Sequence, residues 1–143
     1  IPEIEPGVRC RTGESRITPA YDINARAIIH TVGPVYRHMT SNSSTSPGGI
    51  PPHPNPPAAL AACYRTVLTL AEDWGLPRIA MPAISCGVYG YPVEEAARIA
   101  KQVIESRNWD VVEVRFILFD ERAYDGFRAV FEPAEDLSTL EIP

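Results

Sequence analysis

The sequence predicts a layered α/β/α domain that holds its ligand at the C-terminal ends of the strands. Short β-rich runs alternate with stretches of helical spacing along most of the chain. Residues 78–93 condense that alternation into one phrase: an apolar strand, a loop containing Gly87 and Gly90, and a helix with Pro92 in its first turn. The 143 residues, 45% of them hydrophobic, suffice for one domain with a core and are too few for two.

Residues 1–9 are polar and punctuated by Pro2, Pro6 and Gly7, which reads as an entry loop. A turn at Thr12 and Gly13 leads into a strand expected over 14–21; Pro19 within it suits a sheet edge, where a missing N–H leaves no neighbour unpaired. Ala27-Ile-Ile-His-Thr-Val32 is a second β-rich run, ending at Gly33-Pro34. His30, in mid-strand among apolar residues, reads as a buried and hydrogen-bonded structural histidine in preference to a catalytic one. From 37 to 57 the composition shifts to Ser, Thr, Asn, Gly and Pro, too poor in apolar side chains to fold alone. A proline-rich surface insertion is expected there, with His38 and His53 solvated.

Residues 58–74 place Leu60, Cys63, Tyr64, Val67, Leu68, Ala71 and Trp74 at helical spacing, and Gly75 supplies the stop. The strand expected over 78–84 and its loop are followed by a helix over 93–106, with Ala96, Ala97, Ile99, Ala100, Val103 and Ile104 inward. A strand is expected over 111–119 and a last helix over 121–131 with Tyr124, Phe127, Val130 and Phe131 inward. Residues 132–143 form an acidic tail that is expected to fray.

The loop between the 78–84 strand and the next helix has the chemistry of an anion cradle. Amides in a glycine-permitted turn converge with the unpaired N–H groups and partial positive charge of a helix start, so phosphate can be held without a basic side chain. Two glycines three apart are a weak signal by themselves, and the loop carries neither the dinucleotide fingerprint nor the nucleoside-triphosphate loop.

Composition narrows the partners. The formal charge is −5 with basic residues scattered, which argues against a nucleic-acid groove. No apolar run reaches membrane-spanning length, and an intracellular setting, cytoplasmic or nuclear, is expected. Cys10, Cys63 and Cys86 are odd in number and widely spaced, which indicates free thiols and neither a disulfide framework nor a structural metal site. Cys86 lies where helix-end electrostatics could lower its pKa, but no histidine is near it in sequence and a nucleophilic role is disfavoured. Ala83-Ile-Ser-Cys-Gly87 looks like a nucleophile elbow with alanine in place of its first glycine. Such hydrolases place their histidine after the serine, whereas His30, His38 and His53 all precede Ser85, which argues against that chemistry.

Taken whole, Pro82-Ala-Ile-Ser-Cys-Gly-Val-Tyr-Gly-Tyr-Pro92 closely resembles the second phosphate loop of macrodomains, the ADP-ribose-binding modules that include mono-ADP-ribosyl and O-acetyl-ADP-ribose hydrolases. The threonine-glycine turn and the Ile29-His-Thr-Val-Gly-Pro34 run fit the same pattern. The resemblance implies a three-layer α/β/α fold around a mixed sheet over residues 1–131, interrupted by the 37–57 insertion. It implies that Ser85, Cys86, Gly87, Val88 and Tyr89 hold a diphosphate through backbone amides, with the aromatic near the distal ribose. It implies further that Phe119 lines the adenine pocket, with core packing as the alternative reading of that ring, and that Asp120 sits at its mouth. No cofactor or metal is implied.

The departures are equally informative. The family ordinarily opens with two strands bearing a glycine-aspartate-isoleucine step and an asparagine-alanine-alanine-asparagine segment, then a glycine-rich first loop with the aspartate implicated in hydrolysis. None of these is in this sequence. The chain therefore reads as an N-terminally truncated macrodomain, a fragment to which no catalytic residue can be carried over. One absent strand belongs between the 79–84 and 27–32 strands, so two open edges and strand-edge self-association are expected. The expected function is binding of ADP-ribose or an ADP-ribosylated protein, in a family of ADP-ribosyl-ester and O-acetyl-ADP-ribose hydrolases. A binding-only reader and an inactive structural remnant are the alternatives.

Overall fold

The computed structural model describes residues 1–36 and 50–132. The elements run β1 (Ser15–Pro19), β2 (Ala27–Thr31), α1 (Pro56–Asp73), β3 (Arg78–Met81), α2 (Val93–Glu105), β4 (Glu113–Phe116) and α3 (Glu121–Phe131). Of the expected insertion, residues 37–49 lie outside the described part, as do residues 133–143 of the expected acidic tail.

Pro56 and Pro57, expected to close the insertion, instead open α1. Proline is at home in a first turn because its missing N–H is one of the groups the helix leaves unpaired. The Asn55 side chain caps that turn, accepting from the Ala58 amide at 3.2 Å. At the other end Gly75 adopts φ 58°, its amide donating to Glu72 O while Leu76 N donates to Ala71 O. That paired arrangement satisfies the last carbonyls and releases the chain towards β3.

The strands form two pairs. β1 and β2 are antiparallel, with Ser15 opposite Thr31 and Pro19 opposite Ala27. β3 and β4 are parallel, with Arg78 opposite Glu113 and Met81 opposite Phe116. Both hands of pairing expected of a mixed sheet are therefore present, but β2 and β3 are not hydrogen-bonded to each other. The 78–84 and 111–119 strands are shorter than expected, ending at Met81 and Phe116.

α1 packs on α2, and α2 on α3. Their apolar stripes meet the inward side chains of the parallel pair in one core holding Leu60, Tyr64, Leu68, Met81, Ala96, Ala100 and Phe127, with Ile79, Val114 and Phe116 against it. The alternate residues Arg78, Ala80, Glu113 and Arg115 are exposed. Among the described residues the helices thus cover one face of this pair. Gly126 brings α3 close to the start of α2: a Cβ at that position would lie 2.5 Å from Val93 Cγ1.

Candidate functional site

β2 and β3 are not hydrogen-bonded to each other but are tied together at both ends. Before β2, Arg26 Nη1 donates to Gly75 O, ahead of β3, at 3.2 Å. After β2, Gly33 abuts the residues that follow β3: a Cβ there would lie 2.2 Å from Ser85 Oγ and 2.7 Å from Ile84 Cγ2. Start meets start and end meets end, so the two strands point the same way. Between them lies a cavity of about 1130 Å³, with Val67 of α1 in its lining and Ser85 and Tyr89 at the end where both strands finish.

The loop at that end is built by its own main chain. Cys86 N donates to Ala83 O, Gly90 N to Gly87 O and Tyr91 N to Ser85 O, which closes a compact turn. Among the described residues, the amides of Ser85, Gly87, Val88 and Tyr89 donate to no acceptor. Tyr36 N donates to Tyr89 O at 2.9 Å, and the Tyr36 and Tyr91 rings lie 4.6 Å apart, so the segment after Gly33 braces the turn. From α3, Arg122 Nη2 donates to Cys86 O at 3.0 Å. These contacts hold the turn's shape while four of its N–H groups have no acceptor among the described residues.

Ser85 stands at φ 63°, in the left-handed region that non-glycine residues seldom occupy, and its buried Oγ has no hydrogen-bond partner among the described residues. Strain and an unsatisfied hydroxyl at one position mark a place that stability alone would not have shaped. Ser85→Gly is expected to raise the unfolding free energy by about 0.5–1 kcal/mol, because it relieves the φ strain and removes an orphaned hydroxyl. Denaturant melts of the two proteins check this, and an unchanged or lower midpoint would count against a strained turn.

Cys86 is buried, its Sγ near Ile84 O at 3.5 Å. Burial pushes its thiol up to about 11, and the Arg122 guanidinium offsets this only in part. The group is therefore a protonated core side chain at neutral pH, in keeping with the sequence argument against a nucleophile. Iodoacetamide at neutral pH is expected to label the partly exposed Cys10 before Cys63 or Cys86. Prior modification of Cys86, read by peptide mapping, would overturn that placement.

Of the other expected ligand residues, Gly87 and Val88 lie exposed on the turn. Phe119 is 100% exposed, which rules out the core packing that was the alternative reading of that ring, and it is not in the lining of this cavity or of the small one beside α3. Asp120 is the N-cap of α3, its carboxylate accepting from Ala123 N at 2.8 Å. His30 keeps the expected hydrogen bond, Nε2 to Thr18 Oγ1 at 2.9 Å, but is exposed on β2 instead of buried. Sequence reasoning did not single out Gly33, Arg26 or Arg78 as lining residues. The only local signal was the Gly33-Pro34 step that ends β2.

Residues 3–100 match the family model for the Macro domain. A macro domain-containing protein of Xanthomonas campestris pv. campestris is 51% identical over 109 residues, covering 76% of this chain and 52% of that protein. Another, from Xanthomonas axonopodis pv. citri, is 41% identical over 140 residues, covering 94% of this chain and 70% of that protein. Among solved structures, a mutant Oceanobacillus iheyensis macrodomain with ADPR superposes with a TM-score of 0.71 at 38% identity, covering 87% of this chain and 61% of that one. The Trypanosoma brucei macrodomain in complex with ADP-ribose gives 0.64 at 34%, covering 82% and 45%. The chain thus spans about half the length of the first of these relatives.

Proposed function

The chain belongs to the macrodomain family, and from that membership we propose that it binds ADP-ribose, free or attached to protein, through the turn at residues 85–89. The observation that carries the reading is the set of four unspent amides at Ser85, Gly87, Val88 and Tyr89, held in shape at the C-terminal end of β3. Backbone N–H groups hold a diphosphate without any basic side chain, which suits a chain of net charge −5. Tyr89, in the cavity lining beside those amides, supplies an apolar ring for the ribose beyond the diphosphate. Phe119, fully exposed three residues past the end of β4, is free to meet an adenine ring, with Asp120 spent on its helix cap.

Recognition without turnover is favoured over hydrolysis for these residues. The cavity lining includes Arg26, His30, Arg78 and Tyr89 but no carboxylate, and the ring nitrogen Nε2 of His30, the lining's one candidate base, is engaged with Thr18 Oγ1 on β1. Whether the whole protein acts as an ADP-ribosyl-ester or O-acetyl-ADP-ribose hydrolase is then a question about residues beyond this lining.

Calorimetric titration with ADP-ribose is expected to give saturable micromolar heat, and AMP, which lacks the diphosphate, to bind at least tenfold more weakly. Tyr89→Ala is expected to lower ADP-ribose affinity by tenfold or more, about 1.4 kcal/mol, with an unchanged melt. Equal affinity for AMP and ADP-ribose would remove the diphosphate turn from the site. Release of ADP-ribose from a mono-ADP-ribosylated substrate by these 143 residues would overturn the binding-only reading.

A further inference from the structure

The peptide unit between Cys86 and Gly87 is held in its orientation from a distant helix. In a trans peptide the C=O of one residue and the N–H of the next point in opposite directions, so whatever holds the carbonyl also aims the amide. For the Gly87–Val88 unit the holder is the turn's own main chain, since Gly87 O accepts from Gly90 N at 3.0 Å. For the Cys86–Gly87 unit the holder is Arg122 of α3, whose Nη2 donates to Cys86 O at 3.0 Å. Among the described residues no other hydrogen bond engages this unit. Glycine makes the unit easy to turn over, because a residue without a Cβ accepts either sign of φ. Once turned, it would present Cys86 O where it now presents Gly87 N–H, and a carbonyl oxygen repels an anion.

Arg122 is badly placed for the stability of its own helix. It is the second residue of α3, where a cation opposes the partial positive charge of the helix start. It forms no ion pair among the described residues, whereas Arg98 and Arg128 on α2 and α3 each pair with a glutamate one turn away. Its reach is instead across 36 positions of sequence, to the one carbonyl that sets the direction of the Gly87 amide. A guanidinium bonded to a carbonyl also polarises the peptide behind it, and the N–H at the far end becomes a stronger donor. The space before that N–H is open: a Cβ built at Gly87 meets nothing within 4 Å.

We propose, on the diphosphate reading of residues 85–89, that Arg122 is a positioning residue for the anion turn: through Cys86 O it locks the Cys86–Gly87 peptide with its N–H outward and strengthens that N–H as a donor to phosphate. In this role the guanidinium acts through the peptide and not by contact with the ligand. Loss of the side chain frees the unit to turn over, which removes one donor from the anion and puts a repelling oxygen in its place. Val88 N–H keeps its direction throughout, because its own carbonyl partner lies within the turn.

The experiment titrates ADP-ribose and inorganic pyrophosphate separately into the full chain as the parent, Arg122→Met and Arg122→Lys. Calorimetry reads affinity, thermal melts read stability, and amide nitrogen–proton spectra read the turn residue by residue. Methionine removes both the donor and the charge, and lysine restores both. Arg122→Met is expected to bind either ligand weaker by about tenfold or more, with a melting midpoint equal to or above the parent's because the opposing cation is gone from the helix start. Arg122→Lys is expected to return to within about threefold of the parent. At saturating pyrophosphate the Gly87 and Val88 amides of the parent are both expected to shift downfield, whereas in Arg122→Met only Val88 shifts. A residue that merely fastened α3 would lower the midpoint and weaken both amide shifts together, and that result would overturn the proposal. So would parent-like affinity in Arg122→Met, or no recovery in Arg122→Lys. A parent that binds pyrophosphate but not ADP-ribose would remove the ADP-ribose reading, and the pyrophosphate comparison would still decide for or against Arg122. A parent that binds neither would overturn both.

Discussion

Exchanging Gly33 for valine is expected to lower the unfolding free energy by about 1–3 kcal/mol and to weaken ADP-ribose binding by at least tenfold. A Cβ at this position falls 2.2 Å from Ser85 Oγ and 2.7 Å from Ile84 Cγ2, far inside contact distance, and valine adds two methyl groups beyond it. Relief must come from the Ile84 and Ser85 side, because Pro34 behind Gly33 is fully buried. The strained residue that begins the proposed ligand turn is thereby pushed, and the four unspent amides with it. Gly87→Ala is the matched control: a Cβ there meets nothing within 4 Å, so its melt is expected to stay within about 0.5 kcal/mol of the parent. If Gly87→Ala nevertheless loses affinity, the ligand passes close to that position. If Gly33→Val binds ADP-ribose as the parent does, the junction of the β2 and β3 ends is irrelevant to the site.

Local signals in the sequence were read well wherever the physics is local. α3 fell on the expected residues because Asp120 is a natural cap, and Phe127 and Phe131 recur at the helical period. α1 begins two residues before the expected helix because Pro56 and Pro57, whose composition resembles the loop before them, form its first turn. β4 is shorter than the strand expected over 111–119: Glu113, Val114, Arg115 and Phe116 alternate between solvent and core as a strand covered on one face does, and the pairing stops there. Drawing it to residue 119 placed Phe119 on a strand end, whereas its ring stands fully in solvent beyond one. The glycine-containing turn between β3 and α2 was legible in the sequence, but the contact that anchors it, Gly33 against Ser85, joins residues 52 positions apart and no local pattern reports it. Pairing between strands is likewise non-local. The open edges of β2 and β3 were expected from the resemblance to macrodomains and could not be read from periodicity.

Phe127→Ala is expected to be the most damaging single change, at about 3–5 kcal/mol. The ring is 3% exposed and sits 4.8 Å from Phe116 and 6.1 Å from Phe131, while Phe116 and Phe131 are 5.3 Å apart. Phe116 belongs to β4 and the other two to α3, so this triangle fastens the last helix to the parallel strand pair. Its neighbour Gly126 meets Val93 at the start of α2, so a hole beside it loosens the crossing of α2 and α3 as well. Such a loss consumes much of the roughly 5–15 kcal/mol available to a domain. The melting midpoint is expected to fall by roughly 10–20 °C. Phe119→Ala gives the contrast: with its ring entirely in solvent, the change is expected to stay within about 0.5 kcal/mol. Differential scanning calorimetry on the pair decides the matter. A Phe127→Ala midpoint within two or three degrees of the parent, on the order of 1 kcal/mol or less, would show that the helix is held elsewhere. Loss of ADP-ribose affinity in Phe119→Ala at an unchanged midpoint would assign that exposed ring to ligand and not to fold.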